Sequence, residues 1–434
     1  MTSVLHRLLA GIMIVVALGA PVACTKQETP APQSASPGQS QPTTQAQSNI
    51  PVPADAFMIP AAFDMTGPTS AAFIGSIKPA WEDYWNYVNE NGGILGRKVG
   101  WRIYDSKQSP AEGPQVWKRM VTDFPKAPLI ELDGTGVRVA VKQMAAEDKR
   151  ILTGVGHNLD TANPPGWIFT PNNLFEDMIA TALEQYFLPQ WKESRPLRFA
   201  FILQDAAWAK AVEDVIPYLK KIPNLEVLPS EYMAGNAMDL TAQMNRLKDA
   251  GVDVVWIQHV EPGTAVILRE AQRMGIKDKV KWITSPSVDP VTLFPLTGDL
   301  INGLYQLSTT NSPFSDDKPG VKLVVDLFKK NHPDAQFRPG IMYAHEMLVL
   351  MVAKEAIDQT VQRVGSWDKL TGEALYETYQ SLKVDTGGLS GPIAFGKNKR
   401  WGVDYNIIWQ FNAKGEPRAV SDWLKTSRVF PDLQ

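Results

Sequence analysis

The sequence predicts an α/β protein of two lobes, each built on a parallel β-sheet. Two observations carry that prediction. From Ile50 onward, short apolar runs rich in β-formers alternate with helical patterns, and this alternation starts afresh after Pro171. Strands alternating with helices imply right-handed βαβ crossovers and parallel sheets covered on both faces. A chain of 434 residues is also long enough to bury two cores.

The first series has predicted strands at Phe57–Phe63, Val99–Tyr104, Pro128–Leu132 and Ile151–Gly154. Helices are predicted between them at Ile77–Asn89, Gln115–Phe124 and Val137–Glu147. In the first helix Trp81, Tyr84, Trp85 and Val88 recur at i, i+3, i+4 and i+7, one apolar face, while Glu82, Asp83 and Asn86 lie towards solvent. An aromatic stripe at that spacing is core packing, so the 13 tryptophans imply no aromatic ligand. The second series opens with a helix at Phe175–Phe187. Strands follow at Arg198–Gln204, Leu225–Tyr232, Val252–Gln258 and Lys279–Thr284, with helices at Trp208–Leu219, Leu240–Ala250 and Gly263–Met274. Helical patterns return at Val321–Lys330, Met342–Ile357 and Glu373–Leu382. Two β-runs, Pro392–Phe395 and Tyr405–Phe411, then read as a closing hairpin across Gly396-Lys397-Asn398-Lys399.

Ahead of the body, Leu8–Ala20 is apolar but short for a membrane span, and small residues lead to Cys24. Residues 1–23 are predicted to be a signal peptide. Cys24 is the sole cysteine, which excludes an intrachain disulfide and leaves a free thiol, a leader residue or an acylation site. Its surroundings resemble a bacterial lipobox, although Pro21 stands where a Leu-like residue is usual, and the resemblance implies lipidation of Cys24. Residues 24–50 are dominated by Pro, Gln, Ser, Thr and Ala and are expected to form a disordered tether. With 43 basic and 46 acidic residues, the overall charge gives no sign of a nucleic-acid partner.

Two blocks at the start of the body carry a family resemblance: Phe63-Asp64-Met65-Thr66-Gly67-Pro68, and Asn89-Glu90-Asn91-Gly92-Gly93-Ile94-Leu95-Gly96-Arg97-Lys98. With Gly391-Pro392-Ile393-Ala394-Phe395 and Asn406–Phe411 near the end, they resemble periplasmic solute-binding proteins of ABC importers, of the branched-chain amino-acid (Leu/Ile/Val-binding) type. The resemblance spans roughly Ile50–Pro417. It implies the type I periplasmic-binding fold, two Rossmann-like lobes joined by a three-crossing hinge. The crossings would fall at Phe169–Asn172, Leu307–Thr310 and Asp385–Leu389. Lobe 1 would comprise residues 51–170 plus 311–384, lobe 2 residues 171–306 plus 390–417, and 418–434 would be a C-terminal tail. The implied partners are a small-molecule ligand (a branched-chain amino acid or a related amide or carboxylate), an ABC permease and the membrane, through a lipid on Cys24. The implied location is the periplasm or the outer side of the cytoplasmic membrane. A sensor of the same fold signalling to a receptor, and a hydrolase on this scaffold, are the alternatives.

Ligands of open parallel sheets bind at the carboxyl ends of strands, against loops and helix N-termini. Phe73 follows the first strand. Gly134-Thr135-Gly136 follows the third and matches the family loop that offers a hydroxyl and backbone N–H groups to a ligand carboxylate. Arg138 would add a bidentate contact. Gly156 and His157 follow the fourth strand, His157 standing where the family has Thr or Ser. Trp208 aligns with a family tyrosine that covers the ligand's apolar part. Glu261 and Asp289 are the acids near the position that meets an ammonium group, with Ser285 on the loop between. Plainer alternatives stand beside these: Arg138 as a solvated first-turn residue, His157 as a loop histidine, Trp208 as packing within its own lobe.

Nothing points to catalysis, a cofactor or a metal. His345-Glu346 lacks the second histidine of HExxH, and there is no CxxC, Walker A or GxSxG pattern. Gly154-Val155-Gly156 lacks the third glycine of a dinucleotide fingerprint.

Overall fold

The computed structural model describes residues 54–433 apart from 316, 336 and 337. The expected signal peptide, Cys24 and the whole of the tether lie outside the described residues. The first sheet holds β1 (Phe57–Phe63), β2 (Val99–Asp105), β3 (Leu129–Leu132) and β4 (Ile151–Thr153), all parallel, in the order β2-β1-β3-β4. Both faces are buried. Ile59, Ala61 and Phe63 of β1 join one core with Trp81 and Trp85, while Ala62 joins another with Trp117, Leu132 and Val137. The tryptophan stripe is thus interior, as its spacing predicts.

The second sheet is built on β5 (Leu197–Gln204), β6 (Leu225–Val227), β7 (Glu231–Met233), β8 (Val254–Gln258), β9 (Lys281–Thr284) and β10 (Tyr305–Ser308), all parallel. The period-two alternation along β5 sends Phe199, Phe201 and Leu203 to one core and Ala200 and Ile202 to the other. A separate pair, β11 (Lys383–Val384) and β12 (Ile393–Ala394), is antiparallel. The second sheet ends in antiparallel β13 (Tyr405–Phe411), which pairs with β10, with β14 (Pro417–Ala419) and with β15 (Leu424–Lys425).

Several elements depart from the sequence reading. The predicted closing hairpin does not form, because β12 pairs with β11 and β13 with β10. The segment between them is drawn elsewhere: Arg400 Nε donates to the Gly166 carbonyl at 2.6 Å, its guanidinium stacks 4.3 Å over Phe169, and Trp401 bridges Thr170. Ile393 and Phe395 consequently belong to the first sheet's core, Ile408 to the second's. Residues 418–434, expected as a tail, contribute β15 and most of β14, and Arg428 pairs with buried Asp177 at 2.6 Å.

Proline accounts for other departures. The predicted strand Leu225–Tyr232 divides into β6 and β7 around Pro229, which has no N–H for a ladder. The helix predicted from Ile77 begins earlier, through the π-turn Phe73–Ile77 that leads into Lys78–Glu90. Pro79 offers no N–H to the carbonyl four residues back, and its ring crowds that carbonyl, so the helix widens there. Leu183–Phe187 is a second π-turn, ahead of Pro189, and the 3-10 stretch Ala211–Val215 precedes Pro217 at the same offset.

The chain leaves the first lobe near Thr170 and returns near Thr310. Because Ile393, Phe395 and Val403 still belong to the first sheet's core, its last passage comes between Val403 and Tyr405. Asp385–Leu389, expected as the third crossing, lies instead in the connection between β11 and β12. Isolated bridges Thr170↔Trp401 and Thr310↔Ser390 lie beside these passages. The long helix Ile341–Val364 packs in the first sheet's core although it follows β10 in sequence. Among the described residues no helix is long and apolar enough to cross a membrane.

Candidate ligand-binding site

A parallel sheet directs strand carboxyl ends and helix N-termini to one edge, and here the edges of both sheets converge on one cavity. Thr69, Ala72 and Phe73 reach it from beyond β1, Gln108 from beyond β2, Gly134 and Thr135 from beyond β3, and Val155 and Gly156 from beyond β4. Trp208, Val260, Pro286 and Ser287 follow β5, β8 and β9 of the other sheet. Asn172, Phe175 and Met178 come from the first crossing and the helix after it, and Met342 and His345 from the long helix. The cavity volume is about 80 Å³, several times the roughly 10–15 Å³ a single water needs on that measure.

The lining is largely apolar, with three neutral polar groups left open. Thr135 is 6% exposed, and its hydroxyl has no hydrogen-bond partner among the described residues. It begins the 13-residue helix Thr135–Glu147, whose N-cap Gly134, at φ +94°, provides no side-chain cap. The first N–H groups of that helix are therefore unsatisfied within it, and its dipole is positive at the cavity. Gln108 lies across Gly134, and its carboxamide and the Ser287 hydroxyl are likewise without partners among the described residues.

Of the residues named from sequence, Phe73, Thr135, Gly156 and Trp208 line this cavity, while Arg138, His157, Glu261 and Ser285 are outside its lining. Arg138 is fully buried behind the wall. It donates to the carbonyls of Leu132 at 3.3 Å and Val155 at 2.7 Å, and to that of Gly156. Its work is to hold the loop after β4, and a Cβ at Gly154, where φ is +148°, would strike its guanidinium. His157 is buried with Nδ1 against Thr161 Oγ1 at 2.7 Å, and burial, then the Arg138 charge, holds it well below the usual histidine range. Glu261 is buried and pushed up to about 7 by that burial. It accepts from the Asp289 N–H at 2.8 Å and the Thr292 hydroxyl at 3.1 Å, so it braces a loop. Ser285 Oγ accepts from the Ser287 N–H at 3.3 Å.

Sequence reasoning passed over Asn172, Phe175, Met342 and His345. The Asn172 amide donates to His345 Nδ1 at 2.9 Å and Thr309 Oγ1 at 3.2 Å, and Ser308 Oγ lies 3.0 Å from His345 Nε2. With Nδ1 accepting, Nε2 carries the proton. Burial pushes this histidine down to about 3, so the ring is neutral. These groups tie two crossings to the long helix, and Asn172 sits in a crossing already read as hinge. The His345 contribution has no local sequence signal, since its helix enters the site from a distant part of the chain.

Two lobes of parallel sheet whose loops share one cavity define a ligand-binding fold of the periplasmic type. The match to known proteins agrees: residues 57–416 fit the periplasmic binding protein family, and the chain belongs to that family. A relative, Leu/Ile/Val-binding protein homolog 1 of Brucella abortus (strain 2308), is 24% identical over 367 residues, 80% of this chain and 91% of that protein. Among solved structures, a branched-chain amino acid ABC transporter protein from Thermus thermophilus with bound valine is similar at TM-score 0.77 and 21% identity, covering 87% of this chain and 98% of the other. An ABC-transporter solute binding protein from Rhodopseudomonas palustris BisB5, in complex with 3,4-dihydroxy benzoic acid, is similar at TM-score 0.70 and 17% identity, with 87% and 99% covered. The fold expected from sequence is therefore present, and the family's members and neighbours are substrate-binding proteins.

Proposed function

We propose that this chain is an extracytoplasmic solute-binding protein that captures one small molecule between its lobes and delivers it to an ABC import permease. The observation that carries this reading is the shared cavity: loops from the carboxyl ends of both sheets line it, so a ligand there contacts both lobes at once. A ligand shifts an open–closed equilibrium only by binding the closed form better, and contacts from both lobes supply that difference. Family membership and the named relatives support the transport role. In this reading Phe73, Thr135, Gly156 and Trp208 touch the ligand, while Arg138, Glu261 and Ser285 hold the loops that do.

Trp208 is the sharpest test. Its ring is half-buried over the cavity, and its indole N–H has no partner among the described residues. Trp208→Ala is expected to weaken binding about tenfold to a hundredfold, the usual effect of removing a buried aromatic anchor. Circular dichroism should show an unchanged fold. Calorimetry giving wild-type affinity would remove Trp208 from the site. The reading also places a lipid on Cys24, so Cys24→Ser should move the protein from the membrane to the soluble fraction of cells. An unchanged distribution would argue against the anchor.

A further inference from the structure

We propose that the ligand is a small organic carboxylate with an apolar or aromatic body and no ammonium group, so that this chain is not a carrier of α-amino acids. The inference rests on the binding-protein reading and names the class of molecule its cavity takes.

Consider first what would receive a carboxylate. Thr135 is more than nine-tenths buried, its hydroxyl has no partner among the described residues, and it stands at the start of a 13-residue helix lacking a side-chain cap. Helix N–H groups without intrahelical partners, a positive dipole end and a hydroxyl that can donate lie together at the cavity wall, which favours an oxyanion. Gly134 leaves the approach open, and the Gln108 carboxamide beside it adds a further donor. The body of the ligand would then meet Phe73, Phe175, Met178, Trp208 and Pro286, an apolar wall with two phenylalanine rings and an indole.

An ammonium group has no counterpart there. Among the described residues no carboxylate lines the cavity. The acids on the surrounding loops are committed to protein donors. Asp64 accepts from the Gly67 and Thr69 N–H groups and the Thr69 hydroxyl. Glu261 accepts from the Asp289 N–H and Thr292. Asp289 accepts from Ser76, Val291 and Met342. The remaining titratable group in the lining, His345, has both ring nitrogens occupied. A desolvated ammonium needs a paired charge, and a cavity facing a positive helix end repels it.

Matched pairs test the class directly. The full chain is titrated by calorimetry with isocaproate against leucine and with hydrocinnamate against phenylalanine, and lobe closure is followed by small-angle scattering. At least one carboxylate is expected to bind and close the protein, about tenfold or more tighter than its amino-acid partner. Thr135→Val should cost that carboxylate about tenfold while changing the affinity for isocaproamide by less than about twofold. Leucine or phenylalanine binding as tightly as its partner overturns the ligand class yet sustains the binding-protein reading, since closure would still be seen. A Thr135→Val variant that holds the carboxylate as well as wild type also overturns it. If no member binds and mass spectrometry of the protein from its native host finds no small molecule, the binding-protein reading itself falls, and this class with it.

Discussion

Asp289→Asn is expected to weaken ligand binding about tenfold to a hundredfold while leaving every cavity-lining side chain in place. Asp289 follows β9 of the second sheet, but its carboxylate lies against the first lobe. Oδ2 accepts from Ser76 Oγ at 3.2 Å, on the π-turn, and from the Met342 N–H at 3.3 Å, in the first turn of the long helix. Oδ1 meanwhile caps its own helix through the Val291 N–H at 2.9 Å. A buried carboxylate at the positive end of a 24-residue helix is a clasp between the lobes. Burial holds Asp289 above the usual carboxylate range and offsets part of the roughly 1.5–3 kcal/mol that a hydrogen bond to a charged group contributes, so losing this acceptor removes about 1–3 kcal/mol from the closed form alone. Apparent affinity falls in proportion to the closed population.

Asparagine keeps an oxygen for the local cap and places an amide where the clasp needs an acceptor, so the fold should survive. Gly340→Ala reaches the same end from the other side. Its φ of −82° suits alanine, but the added Cβ would collide with the Asp289 carboxylate. Calorimetry on both variants, with scattering to report closure, gives the check. Wild-type affinity in both would mean that the contact does not hold the lobes together.

The clasp also explains how much of the site was legible in the sequence. Strand-end loops are local: Gly134-Thr135 follows β3 and Trp208 follows β5, so a strand-by-strand reading reaches both. The family resemblance added the expectation that the first of these loops meets a ligand carboxylate. Contacts such as Asp289–Met342 or Asn172–His345 join segments far apart in the chain, and no periodicity encodes them. Arg138 shows a different limit. One helical position past a ligand loop, an arginine suggests an anion contact, and only the packing shows that it points into the wall. The irregular helix turns, by contrast, left a trace in the sequence: Pro79, Pro189 and Pro217 each stand two residues beyond one, although the offset alone does not separate a π-turn from a 3-10 turn.

Arg138→Met is the second large effect, expected to cost about 3–5 kcal/mol of stability, with the loss growing as pH rises. The guanidinium is fully buried beside three buried carboxyl groups, Glu131, Asp133 and Glu346, which place oxygens within 4.8 Å of one another. Asp133 lies 3.8 Å from Arg138 and is nonetheless pushed up to about 7, because burial outweighs that charge. Burial, then mutual repulsion, holds Glu131 and Glu346 well above the usual carboxylate range. These acids bind more protons folded than unfolded, so stability falls as pH rises from the unfolded carboxylate pKa towards the folded one. His157, His259 and His345 are depressed, and they act oppositely, only below their unfolded value of about 6.5. Above that point the acids act unopposed by these histidines. Glu176, pushed up to about 8, and Glu261, at about 7, add to the same slope. The wild-type melting temperature should therefore decline between about pH 6.5 and 8. Without Arg138 the raised acids rise further, and the slope should steepen because the cation that favoured their ionised forms is gone. Glu131→Gln should flatten the wild-type slope, as it removes one group that must lose a buried proton. Melting curves across this range decide the matter: a pH-independent deficit in Arg138→Met would mean that the arginine acts only through the carbonyls of Leu132, Val155 and Gly156, with no electrostatic hold on the acids behind them.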